Sequence, residues 1–384
     1  MLLPASDQEL ADIVRTSAAE EVPLALIGHG SKAGWGRPVG GRAVSLRKFS
    51  GIVDYAPAEL VLTVGAGTPL SQIEQVLKAE RQHLAFEPPD LGPVFGATVG
   101  QATIGGTIAC NLSGPRRPFA GAARDFFLGF KGVNGSGEIV KAGAKVVKNV
   151  TGYDLPKLVA GSFGTLVAMT EVTLKVVPAP EAVVALALEN IDISKANRLM
   201  NAALGSTAEP TGAAYLPASG ALVFRLEGSG PSVAYRLGKL QVLAGAGRVA
   251  EGESAIAIWR DLRNINHIID PKPPVLWSLS VPPAGFSGAL EGLLADLPGA
   301  DALVDWGGGR IWLSHFLTDF SAAVSAVHRY LGGRGHASLL LAPDAWRMGD
   351  RVFSPEVPIT LLRKIRLAFD PKMIFNRGRL HPDL

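Results

Sequence analysis

Within SDQELADIVRTSAAEE the apolar residues Leu10, Ile13 and Val14 recur at helical spacing, with Ser6 or Asp7 ahead of them as a capping side chain. The chain is therefore predicted to open on a helix. The apolar run VPLALI (22–27) reads as a strand, and it runs straight into GHGSKAGWG (28–36), four glycines in nine residues. AVSLRKF (43–49) and LVLTVGAG (60–67) follow as short strands. In PLSQIEQVLKAER (69–81), Leu70, Ile73, Val76 and Leu77 share one face behind a starting proline, which predicts a second helix.

The pattern then changes. Residues 28–164 hold 24 of the 45 glycines, which predicts short strands and turns wrapped closely around something. Two apolar runs flank NGSG in FLGFKGVNGSGEIVKAGAKVV (127–147), a hairpin. TLVAMTEVTLKVVP (165–178) reads as a strand, and Pro178 and Pro180 mark a boundary. Beyond it, helical stretches such as SKANRLMNAAL and FSAAVSAVHRYLGG alternate with strands such as ALVFRLEG and GRIWLSHF. That alternation predicts an α+β domain with an antiparallel sheet. PITLLRKIRLAFD is a last helix before a turn-rich tail, and the expected divisions are 1–178, 179–345 and 346–384.

Composition narrows the function classes. At 384 residues the chain exceeds one ordinary domain, and 47% hydrophobic with 18% charged residues describes a globular protein. The net charge of +3 is not gathered into a run, Arg116-Arg117 being among the densest basic features, so a nucleic-acid partner is not expected. The lone Cys110 excludes an intrachain disulfide, a Cys-ligated iron–sulfur cluster and a paired-cysteine zinc site. It sits among small residues in TIGGTIACNLSG and reads as a packed residue rather than a nucleophile. The first residues lack the charged and apolar regions of a secretory leader, and no stretch approaches eighteen apolar residues, so the expectation is a cytoplasmic chain without a membrane span.

A glycine-rich turn after a strand brings backbone N–H groups close to an anion. GHGSKAGWG is not a P-loop, because no Lys-Ser/Thr pair closes it. Nor does it open a dinucleotide-binding helix, since WGRPVGGR follows, with Pro38 and further glycines. Two more segments repeat its chemistry. GATVGQATIGGTIACNLSGPRR (96–117) has no charge before Arg116, and KNVTGYDLPKLVAGSFGTLVAMTEVTL (148–174) contains GSFGT. Three such segments point to one long phosphate-bearing ligand lying across a single domain.

These segments in this order, with EPPDLG, GAARDFFLG and a C-terminal FDPKMIFNRGRL (369–380), resemble the vanillyl-alcohol-oxidase (PCMH-type) FAD-binding family, and within it the FAD-binding E subunits of bacterial glycolate oxidase. The resemblance covers nearly the whole chain. It implies an α+β fold: a two-subdomain FAD-binding domain, an α+β cap domain and a C-terminal segment that returns to the first domain. It implies that His29, Gly30, Ser31 and Lys32 offer N–H groups to the FAD diphosphate, and that Thr103, Ile104, Gly105 and Gly106 line flavin and diphosphate. Asn111, Ser113 and Gly114 would lie at the isoalloxazine edge, with Gly161, Thr165 and Val167 at further cofactor contacts. In covalently flavinylated relatives a histidine of this loop carries the flavin; Lys32 stands at that position here and His29 is offset, so noncovalent FAD is expected.

A flavin oxidising a 2-hydroxy acid needs a cation for the carboxylate and a base near the hydroxyl. The seven histidines include no pair at metal-ligand spacing, so no metal site is expected. The weak catalytic candidates are Arg116, Arg310 between Trp306 and Trp312, and His336 in RGHASLLLAP. Each has a bland alternative: a loop contact, sheet packing, a solvated hairpin edge. The resemblance implies a subunit that works with a homologous flavoprotein and an iron–sulfur subunit on a small 2-hydroxy acid, associated with the membrane at most through that complex. A self-sufficient FAD-linked 2-hydroxy-acid dehydrogenase and a structural subunit with a vestigial flavin cleft stay open beside it. The aromatic stretches WGGGRIW and IWRDLR are expected to pack against another protein.

Overall fold

The computed structural model describes residues 1–143, 153–349, 352–354 and 358–384. The hairpin residues 144–147 and the KNVTG part of 148–158 lie outside the described residues. The chain forms two compact units, one of Met1–Ser113, Ala122–Ala179 and Glu356–Leu384, the other of Gly114–Gly121 and Pro180–Pro355.

In the first unit the opening helix is Asp7–Ala19, and Ser6 caps it by accepting the Glu9 N–H at 3.2 Å. Its buried face, Leu10, Ala11 and Val14, joins a core with Leu24, Val44, Ile374 and Phe375. The strands Leu24–Ile27 and Arg42–Ser45 pair in parallel. Among the described residues an antiparallel sheet of five strands runs in the order Ile52–Ala56, Val61–Gly65, Val167–Lys175, Phe127–Asn134, Ile139–Gly143. The pattern does not predict Ile52–Ala56, because this edge strand buries none of its side chains and so shows no apolar alternation.

One expectation in this unit is corrected. The glycine pattern assigns TIGG to strands and turns, but Ile104–Ala109 is a short helix capped by Thr103. Gly105 permits it: a Cβ there would stand 2.7 Å from the Ala66 carbonyl, which instead accepts the Gly105 N–H at 2.8 Å. The tail returns to the core because buried Asp370 accepts the N–H groups of Ile374 at 3.0 Å and Phe375 at 2.8 Å.

The second unit is built on an antiparallel sheet of nine strands among the described residues. The helices Ile193–Leu204, Phe286–Asp296 and Phe320–Leu331 pack onto a core that includes Trp277, Phe224 and Tyr215. Here the expected docking aromatics are corrected. Trp259, Trp306 and Trp312 are 1%, 8% and 2% exposed, so IWRDLR and WGGGRIW serve the unit's own interior. Extended-chain parity also fails as a reason for pairing Trp306 with Trp312, since Trp306–Gly308 is a turn with Trp306 at φ 55°. The two indoles still meet across Arg310, whose guanidinium lies 3.3 Å from one ring centroid and 4.7 Å from the other.

Candidate functional site

The strand Leu24–Ile27 delivers the chain into the glycine loop. Gly30 takes φ 82°, a conformation that favours glycine, and the loop closes with Ala33 N–H to Gly30 O at 3.0 Å and Trp35 N–H to Lys32 O at 3.1 Å. Between these bonds the N–H groups of His29, Gly30, Ser31 and Lys32 have no acceptor among the described residues. Successive N–H groups of this kind form a concavity for an anion.

The C-terminal segment holds this loop. Arg379 donates through Nη1 to the carbonyls of Ala33 at 2.9 Å and Trp35 at 2.8 Å. Asn376 accepts the Leu26 N–H at 2.7 Å and donates to Phe163 O at 2.7 Å, so one side chain ties the strand to the GSFG turn. The sequence singles out FDPKMIFNRGRL without giving any of its residues a place in the site. Nothing local distinguishes Asn376 and Arg379 from Asp370, Lys372 and Arg377, the other polar side chains of this segment.

The loop borders a cleft of about 770 Å³ with its open mouth included. Apolar walls come from Leu26, Leu46, Ala66, Val167 and Met169, and Trp35 and Phe163 meet edge to face at 5.2 Å between centroids. No Asp or Glu is among the described residues lining it, while Lys32 and Arg379 are. Burial pushes the Lys32 ammonium below its ordinary value, against Cys110 and Asp90. Burial also pushes the Cys110 thiol up to about 11, against Lys32 and Arg379, so Cys110 is a protonated wall residue and no nucleophile. An apolar cleft with free N–H donors and cations at one side fits a flat ring system carrying a diphosphate.

Of the residues expected at the cofactor, His29, Gly30, Ser31, Lys32, Thr103, Gly105, Gly106 and Val167 line this cleft. Ile104 points into the core at 0% exposed. The donors of Ile104, Gly105 and Gly106 are already taken: Ile104 N–H goes to Thr68 O at 3.0 Å, Gly105 N–H to Ala66 O, and Gly106 N–H to Thr103 Oγ1 at 3.3 Å. This stretch therefore shapes the wall and offers no free helix N-terminus. Asn111 accepts the Arg124 N–H at 3.0 Å and Ser113 the Ala123 N–H at 2.9 Å, both as loop braces. Gly114 groups with the second unit, its carbonyl accepting Trp306 Nε1–H at 2.9 Å. Gly161 and Thr165 line a separate cavity of the first unit. His29 turns its ring to Gln101, Nδ1 to Oε1 2.8 Å.

The weak catalytic candidates lie in the second unit. Arg116 is 9% exposed and grips Glu227 with Nε at 3.0 Å and with Nη2; Glu227 also faces Arg225 and accepts the Thr211 hydroxyl at 2.7 Å. Burial lowers Arg310 to about 9, with Asp305 opposing and the Arg117 cation adding to the shift. Arg117 lies over the same Trp306 ring at 4.3 Å. His336 is exposed at the start of the strand His336–Leu341, opposite Ser280. No cluster of three metal-ligating side chains and no helix long and apolar enough to cross a membrane occurs among the described residues.

Residues 1–143 match the FAD binding domain family. Across 98% of its length the chain is 36% identical to the glycolate oxidase subunit GlcE of Escherichia coli K12, 98% of which is covered. About half of it is 37% identical to a D-lactate dehydrogenase of Anaerostipes hadrus, covering 38% of that protein. A similar half is 33% identical to the glycolate oxidase subunit GlcD of Bacillus subtilis, covering 40% of that protein. A solved structure of alkyldihydroxyacetonephosphate synthase shares the fold, with a TM-score of 0.70 over 97% of this chain and 75% of that one at 17% identity.

Proposed function

The chain belongs to the GlcE family of FAD-binding glycolate oxidase subunits, and we propose that it is the FAD-carrying subunit of a glycolate-oxidising complex. In this reading glycolate, a 2-hydroxy acid, is oxidised to glyoxylate and the electrons are passed on. The observation that carries it is the run of four acceptor-free N–H groups at His29–Lys32, beside the Lys32 ammonium, in a cleft without a lining carboxylate among the described residues. FAD, when bound, supplies the two-electron acceptor.

This chain's own residues do the holding. His29, Gly30, Ser31 and Lys32 take the diphosphate, Arg379 and Asn376 keep their loop in shape, and the apolar walls exclude water from the ring system. FAD is held without a covalent bond, because Lys32 stands where covalently flavinylated relatives carry the linking histidine and His29 is offset from it. The clusters of an iron–sulfur partner have to sit on that partner, since Cys110 is the only cysteine here. A homologous flavoprotein subunit completes the complex, which works in the cytoplasm. Arg116, Arg310 and His336 are the second unit's candidates for substrate contact, and Arg116 is already held by the Glu227 carboxylate.

Purified chain should absorb as a flavoprotein, and acid precipitation should release all its yellow colour to the supernatant. Glycolate with an artificial acceptor should give little turnover until the sister flavoprotein and iron–sulfur partner are added. A colourless chain that does not take up FAD sinks the cofactor reading. Full turnover by the isolated chain would make it a self-sufficient dehydrogenase instead.

A further inference from the structure

The tryptophans of IWRDLR and WGGGRIW are buried in the second unit, so neither stretch supplies a surface for another protein. The chain's surplus charge lies elsewhere, in the C-terminal segment of the first unit. Residues 358–384 hold Arg363, Lys364, Arg366, Lys372, Arg377 and Arg379 against only Asp370 and Asp383, although the whole chain has a net charge of +3. Within this segment the helix Ile359–Phe369, ITLLRKIRLAF, has three basic residues and no acidic one. Three of the segment's cations are occupied: Arg366 faces buried Asp370, Arg379 holds the glycine loop, and Lys372 pairs with Glu21 at 3.0 Å. Arg363, Lys364 and Arg377 are exposed, with neither a hydrogen bond nor an ion pair among the described residues.

A surface helix ordinarily turns its leucines to protein and its charges to water. Here the one buried residue is Arg366, while Leu361 is 58% and Leu367 41% exposed. Positions three and four apart lie side by side on a helix. Lys364 therefore stands between Leu361 and Leu367, with exposed Ala368 beside it, so an apolar outward face carries a cation at its centre. That placement selects the occupant. A lipid surface covering both leucines would draw the Lys364 ammonium toward its apolar layer, which is unfavourable. A second copy docked by the same face would bring like charges together. A different protein can cover the leucines and set a carboxylate against Lys364.

We infer that the outward face of this helix docks a partner subunit of the complex proposed above, one that brings apolar side chains to Leu361 and Leu367 and a carboxylate to Lys364. The inference rests on that reading of the chain as a subunit. Its test measures the affinity of FAD-loaded full-length chain for the purified sister flavoprotein and iron–sulfur subunits, at low and high salt. Lys364→Glu should weaken binding about thirtyfold and Leu361→Asp about tenfold, while Lys364→Arg keeps it. Wild-type binding should weaken with salt, and Lys364→Met should flatten that dependence. Val242→Asp, at a position of the second unit that is 90% exposed, should change nothing. Unchanged binding in Lys364→Glu or in Leu361→Asp overturns the assignment, as does an equal loss in Val242→Asp. Flotation with phosphatidylglycerol vesicles, or self-association, that Lys364→Glu abolishes would also overturn it, in favour of a membrane or a second copy. A wild-type chain that binds neither subunit fails the complex itself, whereas variants that bind like the wild type fail only this surface. Visible absorbance of the same samples should show equal flavin content throughout, since every substituted side chain is exposed.

Discussion

The first unit's GHGSKAGWG (28–36) and the second unit's DWGGGRIW (305–312) are alike as sequence, each a short stretch of glycines with tryptophan. In three dimensions their glycines do different things. A Cβ on Gly30 would meet nothing within 4 Å, and the N–H groups of His29–Lys32 have no acceptor among the described residues. A Cβ on Gly308 would stand 2.6 Å from the Phe286 ring and 2.9 Å from Pro283 O, and one on Gly307 would run into Leu204. Donors in that turn are used at once: Trp306 N–H goes to Asp305 Oδ1 at 2.7 Å and Trp306 Nε1–H to Gly114 O. Gly307 and Gly308 let protein approach protein, as Gly28 and Gly34 of the other loop do against Thr103 and Phe95, whereas Gly30 leaves room and donors for something else.

The largest effect that could break this contrast is in the packed turn. Gly308→Val adds a clash with Phe286 to a backbone at φ 102°, and overpacking plus backbone strain should cost about 4 kcal/mol of stability. Thermal melting should show the loss, while FAD affinity of the protein that stays folded is unchanged. A large drop in FAD affinity with normal melting would mean that the packing role is misassigned.

The closed interior of the second unit is sharpened by pH. His315 is 0% exposed and accepts Trp277 Nε1–H at Nε2, 3.2 Å, and burial lowers its pKa from 6.5 to about 4. The unfolded chain therefore binds more protons between those values. Stability from this group is full above about pH 6.5 and is lost as pH falls toward 4, by roughly 3 kcal/mol. Denaturant midpoints measured across that range should show the slope, and His315→Gln should flatten it.

In the open loop, Gly30→Ala should cost the apoprotein only about 1 kcal/mol, the strain of a left-handed alanine. FAD affinity should fall about a hundredfold, roughly 2.7 kcal/mol, because the N–H run is turned aside. Fluorescence titration of the apoprotein measures it, and an unchanged affinity would remove the loop from the cofactor site. The smallest effect is at the cleft wall. Maleimide should label Cys110 slowly in the apoprotein, its thiol being pushed up to about 11, and at least tenfold more slowly after FAD is added. Equal rates would place the cofactor elsewhere.

Much of the first unit is readable because its signals are local. Ser6 ahead of Leu10 and Val14 marks the opening helix, NGSG marks the hairpin, and GHGSKAGWG marks an anion loop through spacing alone. Eight of the fourteen expected cofactor residues line one cleft, and four of them, His29–Lys32, sit in a loop whose glycines announce close approach. TIGG misleads because the pattern of small residues is the same whether the backbone nears a ligand or, as at Gly105, the Ala66 carbonyl.

The opening helix, the NGSG hairpin and the want of one long phosphate-bearing ligand follow from the order of residues, because helix caps, turns and glycine conformations depend on neighbours a few positions away. What those segments touch is settled only in the folded chain. Asn376 reaches Leu26 and Phe163, Arg379 reaches Ala33 and Trp35, and Arg116 is drawn to Glu227 rather than left for a ligand. These pairs are separated by 111 to 350 positions, a distance over which residue spacing carries no information, and burial of the surrounding core brings them together.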